Sequence, residues 1–172
     1  MGYAQTYTLP LEGTAIKEIL RSARTEDIEN ILRLFEDEVR AGRMLPRLPN
    51  EIRAHLHNWL VLEREGKLIG CVSLVFFNSQ LCEIRSLAVA PGLRGNGFGP
   101  QLVRGALALA AESGARRVIT LTRSVAFFER LGFRYSQLAH YPEKVWRDCR
   151  PCPLRHRCDE TALIYRLDGK SK

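Results

Sequence analysis

The chain has 172 residues, with 26 Lys and Arg against 19 Asp and Glu, for a net charge of +7. At 45% hydrophobic and 26% charged it has the composition of one globular domain, which excludes a disordered or fibrous chain. No run approaches the roughly 18 unbroken apolar residues of a spanning helix, and residues 1–13 lack a basic start and an apolar stretch, so a cytoplasmic, non-membrane protein is expected. The basic surplus favours an anionic partner such as a phosphorylated co-substrate or an acidic substrate. The arginines are scattered, with no lysine-rich tail and no aromatic-basic stripe, so nucleic acid is not the expected partner.

Residues 1–14 carry little pattern and read as a leader, with 15–172 as the folded part. Residues 16–23 read as a first strand. Thr25 is then an expected N-cap, with Glu26 and Asp27 in the first turn, and Ile28, Ile31, Leu32, Phe35 and Val39 follow at helical spacing until Ala41-Gly42. Residues 51–60 read as a second helix passing into a strand. Residues 59–63, the Glu65-Gly66 turn and 67–77 read as a hairpin, and Asn78-Ser79-Gln80 turns the chain into another strand over 81–89. Leu102, Val103, Ala106, Leu107, Leu109 and Ala110 mark a helix closed by Gly114. A β-rich run at 117–121 and a short helix at 124–131, closed by Gly132, come next. Residues 133–141 and 161–167 read as two last strands, separated by an irregular Cys- and Pro-rich insert at 142–160. The order βααβββαβαββ predicts an α/β (α+β) fold in which one mixed sheet is flanked by helices.

The strongest local signal is Arg94-Gly95-Asn96-Gly97-Phe98-Gly99, between a strand and an amphipathic helix. Glycines let backbone N–H groups approach phosphate oxygens, the helix N-terminus adds a favourable dipole, and Arg94 adds a charge-assisted contact. The spacing is neither a Walker A loop nor a full G-x-G-x-x-G fingerprint. Taken alone, it is equally a flexible turn.

In context, the segment resembles the coenzyme signature of the GCN5-related N-acetyltransferases, Arg/Gln-x-x-Gly-x-Gly/Ala, through Arg94, Gly97 and Gly99. The preceding Leu87-Ala-Val-Ala-Pro91 and the later Leu131-Gly-Phe133 fit the same pattern. Within that superfamily, Glu83-Ile-Arg-Ser-Leu-Ala-Val89, Leu121-Thr-Arg-Ser124 and Phe127-Phe-Glu-Arg-Leu-Gly-Phe133 resemble the acetyltransferase domain of N-acetylglutamate synthases. Gly42-Arg-Met-Leu-Pro-Arg47 is similar to that family's basic loop near its substrate. The usual bacterial synthase also carries an amino-acid-kinase-like domain for which 172 residues leave no room, so the resemblance implies a short, stand-alone form.

The resemblance implies a mostly antiparallel sheet and acetyl transfer from acetyl-CoA to the α-amino group of L-glutamate, for arginine biosynthesis, by direct attack in a ternary complex. It implies that Gly95, Asn96, Gly97, Phe98 and Gly99 hold acetyl-CoA with Arg94. Backbone groups of Leu87, Ala88 and Val89 would hold its pantetheine arm and the reaction's oxyanion. Glu83 sits where such families place the base. Arg85, two residues on and so on the same strand face about 6–7 Å away, offers the competing reading of a structural ion pair that makes Glu83 a weaker base. Many relatives use a Tyr as general acid where this chain has Phe128. Thr122, Ser124 or a water would have to substitute, with a helix cap the plainer reading for Ser124. A diacid acceptor needs fixed cations: Arg47 first, with Arg85 and Arg123 after it.

Five cysteines without a secretory context argue against a disulfide framework. Cys71 and Cys82 lie in apolar runs and read as small buried residues. Cys149, Cys152, His156 and Cys158 can together supply four tetrahedral ligands for a structural zinc. An iron–sulfur site, a redox disulfide or free thiols are the other readings of the same residues. Two other functions compete with the synthase: N-acetylation of another small amine or a protein N-terminus, and a non-catalytic CoA- or nucleic-acid-binding module. A homodimer through edge strands is expected by analogy alone.

Overall fold

In the computed structural model, which describes residues 17–167, the strands and helices follow nearly the predicted order. They are β1 (Glu18–Ser22), α1 (Ile28–Leu34), α2 (Glu36–Arg40), α3 (Pro49–Ala54), β2 (Trp59–Arg64), β3 (Lys67–Asn78), β4 (Leu81–Val89), α4 (Phe98–Glu112), β5 (Arg117–Thr122), α5 (Val125–Arg130), β6 (Arg134–Tyr135), α6 (Pro142–Lys144) and β7 (Thr161–Arg166). The leader at 1–14 and the predicted strand start at Ile16 lie outside the described residues. The strands form one open sheet in the order β1-β2-β3-β4-β5-β7-β6. The pairs β1/β2, β2/β3, β5/β7 and β6/β7 are antiparallel, and β4/β5 is parallel. This is the mixed, mostly antiparallel α+β fold expected. Among the described residues no helix is long and apolar enough to cross a membrane.

The chain clusters into two compact units that share the long strands β3 and β4. In the first, residues 17–74 and 86–106, Ile28, Ile31 and Phe35 at helical spacing join Ile52 of α3, and Trp59, Val61 and Cys71 of β2 and β3, in one buried core. The predicted single helix is broken at Phe35, whose φ of −118° and ψ of 13° leave the helical region. Thr25 is not the cap. It opens a 3₁₀ turn over Thr25–Asp27 that follows Arg24, and Asp27, third in that turn, reaches back to accept the Arg24 amide at 2.7 Å and also accepts both terminal guanidinium nitrogens of Arg21, at 2.7 and 3.0 Å.

Burial pushes the Asp27 carboxyl up, but the bonds from Arg21 and the Arg24 amide outweigh it and hold the group below its ordinary 3.8. A depressed folded value means the stabilisation is present above the unfolded carboxyl's pKa of about 3.9 and is lost as pH falls through the folded one. Asp27→Asn is therefore expected to cost about 2 kcal/mol at pH 7, where it removes one of the two carboxylates that hold the Arg21 guanidinium and leaves it Glu63 alone. That difference should shrink below about pH 4, as urea melts at pH 7 and pH 3 would show.

The start of α4 crosses β3 closely, at Gly70. A Cβ there would lie 2.8 Å from Leu102 Cδ1 and 3.1 Å from the Ala88 carbonyl oxygen. A strand backbone cannot swing aside as a side-chain tip can, so Gly70→Ala is expected to cost about 1–3 kcal/mol, read as a lowered Tm.

In the second unit, residues 75–85 and 107–167, Leu81, Ile119, Tyr141 and Ile164 form the core. Ile119 stands opposite Ile164 in the β5/β7 ladder. The expected strand over 133–141 is cut to two paired residues, Arg134 opposite Ile164 and Tyr135 opposite Leu163. Beyond them the chain turns through a 3₁₀ segment at Leu138–His140, which buries the Tyr141 ring and sets its hydroxyl against Ser136. The insert is not irregular throughout: α6 starts at Pro142 and runs on as a π-turn over Val145–Cys149. Proline at a first helical position, where no N–H is needed, was the sequence signal for that start.

Candidate active site

In the first unit, a 3₁₀ turn at Pro91–Leu93 leads from β4 into the glycine loop. Gly95 and Gly97 both have a φ of +83°, with open space where a Cβ would stand. Other residues are strained in that conformation. Side chains brace the loop: Asn96 Nδ2 donates to the carbonyls of Leu93 at 3.0 Å and Arg94 at 3.3 Å, and Arg94 Nε donates to the Val89 carbonyl at 3.2 Å. Arg94 also lies 3.7 Å from Glu38, so a phosphate would have to share this guanidinium. Gly99 falls in the first turn of α4, whose leading N–H groups have no acceptor within the helix. Phe98 contributes its backbone to this loop, while its side chain is buried. The loop thus has the shape and donor chemistry of a phosphate cradle.

The same unit holds Arg47, in the loop between α2 and α3. Its Nε donates to Ser86 Oγ at 3.3 Å, and its Nη1 lies 3.4 Å from the Leu45 carbonyl. Ser86 is buried and has a φ of +51°, a conformation that β-strand residues other than glycine rarely adopt. Cys71 Sγ lies 3.5 Å from the Ser86 carbonyl. Burial pushes the Cys71 thiol up to about 12, so it stays protonated and donates to that carbonyl. The strained serine is followed by Leu87, Ala88 and Val89, the backbone expected to face the co-substrate. Ala88 is buried in the core.

In the second unit, the parallel ladder of β4 with β5 covers Leu81, Cys82 and Glu83. Beyond it the Thr120 hydroxyl takes the Ile84 carbonyl, at 3.2 Å. Glu83 is 2% exposed, and Arg85 Nε reaches its Oε2 at 2.6 Å, the ion pair that the i, i+2 spacing predicted. A second cation, not foreseen, stands on the same oxygen: the buried Lys144 of α6, at 3.0 Å. Asp148 closes the group, paired with Arg85 and lying 3.4 Å from Lys144. Burial pushes the Asp148 carboxyl up, but Arg85 and Lys144 prevail and hold it below the ordinary value. Lys144 and Asp148 are an i, i+4 pair, legible once the insert is known to be helical.

Thr122, Phe128 and Arg123 are tied to structural partners. Thr122 is buried and its hydroxyl accepts the Ser124 amide at 2.9 Å. Ser124 occupies the N-cap position of α5, but its hydroxyl makes no capping bond, contrary to expectation. Phe128, at the usual Tyr position, is buried with its ring edge-on to Phe127 and Phe133. Arg123 pairs with Asp159 at 2.6 Å and lies 3.7 Å from Glu160.

The four-ligand zinc arrangement expected of Cys149, Cys152, His156 and Cys158 is not formed. Among the described residues no group of three or more His, Cys, Asp or Glu side chains is placed to hold a metal ion. His156 Nε2 accepts Arg155 Nε at 2.8 Å, and Cys152 Sγ accepts the Leu154 amide. Burial raises the Cys149 thiol, disfavouring the thiolate that a metal requires.

The profile of the Acetyltransferase (GNAT) family matches residues 16–133. An uncharacterized N-acetyltransferase of Chlorobaculum tepidum is 38% identical over 148 residues, covering 86% of this chain and 96% of that protein. The amino-acid acetyltransferase of Mycobacterium tuberculosis is 34% identical over 121 residues, 68% of each chain. Among solved structures, N-acetylglutamate synthase from Neisseria gonorrhoeae, complexed with coenzyme A and N-acetyl-glutamate, superposes with a TM-score of 0.76 at 25% identity. The match covers 91% of this chain and 36% of that one, so the chain spans about a third of the longer enzyme. With the family profile covering most of the fold and a relative similar over nearly its whole length, the chain belongs to the GNAT acetyltransferase family.

Proposed function

We propose that the protein transfers the acetyl group of acetyl-CoA to the α-amino nitrogen of an acidic amino acid, L-glutamate first, by direct attack in a ternary complex. The observation that carries this reading is Arg47, a guanidinium fixed on the hydroxyl of the strained Ser86 in β4. A fixed guanidinium fork matches a carboxylate of the acceptor. The kinship with proteins named amino-acid acetyltransferase, and with a synthase that holds N-acetyl-glutamate, supports the same class of acceptor.

In this reading the glycine loop and the α4 N-terminus bind the phosphates of acetyl-CoA, with Arg94 shared between them and Glu38. Glu83 receives the proton that the acceptor's ammonium must lose before its nitrogen can attack. The nitrogen adds to the thioester carbonyl to form the new N–C bond, and N–H groups in the Leu87–Val89 stretch stabilise the resulting oxyanion. Its collapse breaks the C–S bond, and the nitrogen gives up its second proton to water. With Phe128 in place of a phenol, coenzyme A leaves as a thiolate, which a thiol pKa of about 8.5 permits.

The test is thiol release from acetyl-CoA against a panel of free amino acids and polyamines, corrected for the protein's own cysteines. Selective release with L-glutamate is the expected result. Release with a polyamine but with no acidic amino acid would overturn the acceptor.

A further inference from the structure

We propose that Lys144 is the positioning residue of the Glu83 carboxylate, resting on the reading above that Glu83 takes the acceptor's proton. Glu83, Arg85, Asp148 and Lys144 alternate in charge around a closed ring. Two of its members, Glu83 and Lys144, are 2% and 7% exposed. Two charges withdrawn from water and two half-withdrawn are a poor way to add stability, because the desolvation cost offsets most of the attraction. A ring of this kind does fix direction. Lys144 and Arg85 both stand on Oε2 of Glu83, and two cations on one oxygen hold the plane of the carboxylate. Lys144 is itself held from the other side by Asp148, one turn along the insert.

The insert that separates β6 from β7 thereby acquires a task. It delivers a cation to a carboxylate on β4, some 60 residues earlier in the chain. The thiols of Cys82 and Cys149 and the carboxyl of Glu160 lie within electrostatic reach of Glu83 without bonding to it. Burial raises all three of those groups.

The test compares the full chain with its Lys144→Met, Lys144→Arg and Asp148→Asn variants, reading kcat and both KM values. Lys144→Met is expected to lower kcat about 30-fold, with the acetyl-CoA KM within about twofold, because the base loses its orientation and the coenzyme loop is untouched. Lys144→Arg keeps the cation and is expected to restore kcat to within about fivefold of the wild type. Asp148→Asn leaves Glu83 and Lys144 in place and keeps the test open if Lys144→Met does not fold; it is expected to lower kcat about tenfold. A loss that falls on the acetyl-CoA KM as much as on kcat, or one that arginine does not rescue, would overturn the proposal. Wild-type turnover in Glu83→Gln would instead overturn the reading beneath it. A slow Glu83→Gln beside a neutral Lys144→Met would remove the role of Lys144 alone.

Discussion

Glu83→Gln is expected to lower kcat by about 10²–10³-fold while leaving the KM for acetyl-CoA within about twofold, measured by steady-state thiol release. The amide keeps the shape of the carboxylate and cannot take a proton, so the loss falls on the chemical step. The glycine loop, expected to bind the co-substrate, is made by Gly95, Asn96 and Gly97 and does not include Glu83. The substitution also leaves Arg85 and Lys144 without their carboxylate, so a modest loss of stability should accompany it. That loss is separable, because a folded fraction reduced by unfolding lowers kcat without altering the pH profile.

Arg47→Ala is expected to raise the KM for L-glutamate about 30- to 100-fold and to change kcat far less. The interaction lost is a charge-assisted one, worth about 2–3 kcal/mol, and each 1.4 kcal/mol is tenfold in affinity. If the guanidinium binds substrate carboxylate in the ground and transition states alike, its removal appears in KM rather than in kcat. Ser86→Ala should act in the same direction and more weakly, since it removes a bond that orients Arg47 and leaves the charge. Lys at position 47 keeps charge without the planar fork and should recover only part of the affinity.

Much of this was legible in the residues. The apolar periodicity of Ile28, Ile31 and Phe35 marks the face that the first unit buries, and the glycine loop lies between β4 and α4 where its composition placed it. Strand alternation put Glu83 and Arg85 on one face, and the ion pair is there. What local pattern missed depends on longer range. Arg24 rather than Thr25 holds the cap position of the first turn, because Asp27 reaches back to its amide and is itself held by Arg21 of β1, which Glu63 of β2 also binds. Such a preference is written in tertiary partners and not in the cap residue's own type.

The insert misled for a related reason. Its cysteines have a spacing that ligand geometry allows, but spacing does not say where the sulfurs point. The helix-forming stretch from Pro142 was masked by the cysteines and prolines that follow it. Lys144 therefore went unnoticed, since a lone lysine in an irregular segment reads as a solvated surface charge. Ser86 was missed as well: no composition signal marks a serine in a strand for a φ of +51°.

The fate of one acetyl group decides whether this protein acylates the α-nitrogen of glutamate. The protein would be incubated with acetyl-CoA carrying a ¹³C-labelled acetyl group and with L-glutamate, and the product read by NMR and mass spectrometry. Label is expected in an amide on the α-nitrogen of glutamate, formed with one coenzyme A released per acetyl transferred. Coenzyme A released to water with no labelled amide, or label carried only by other amines in a mixed-acceptor reaction, would contradict it.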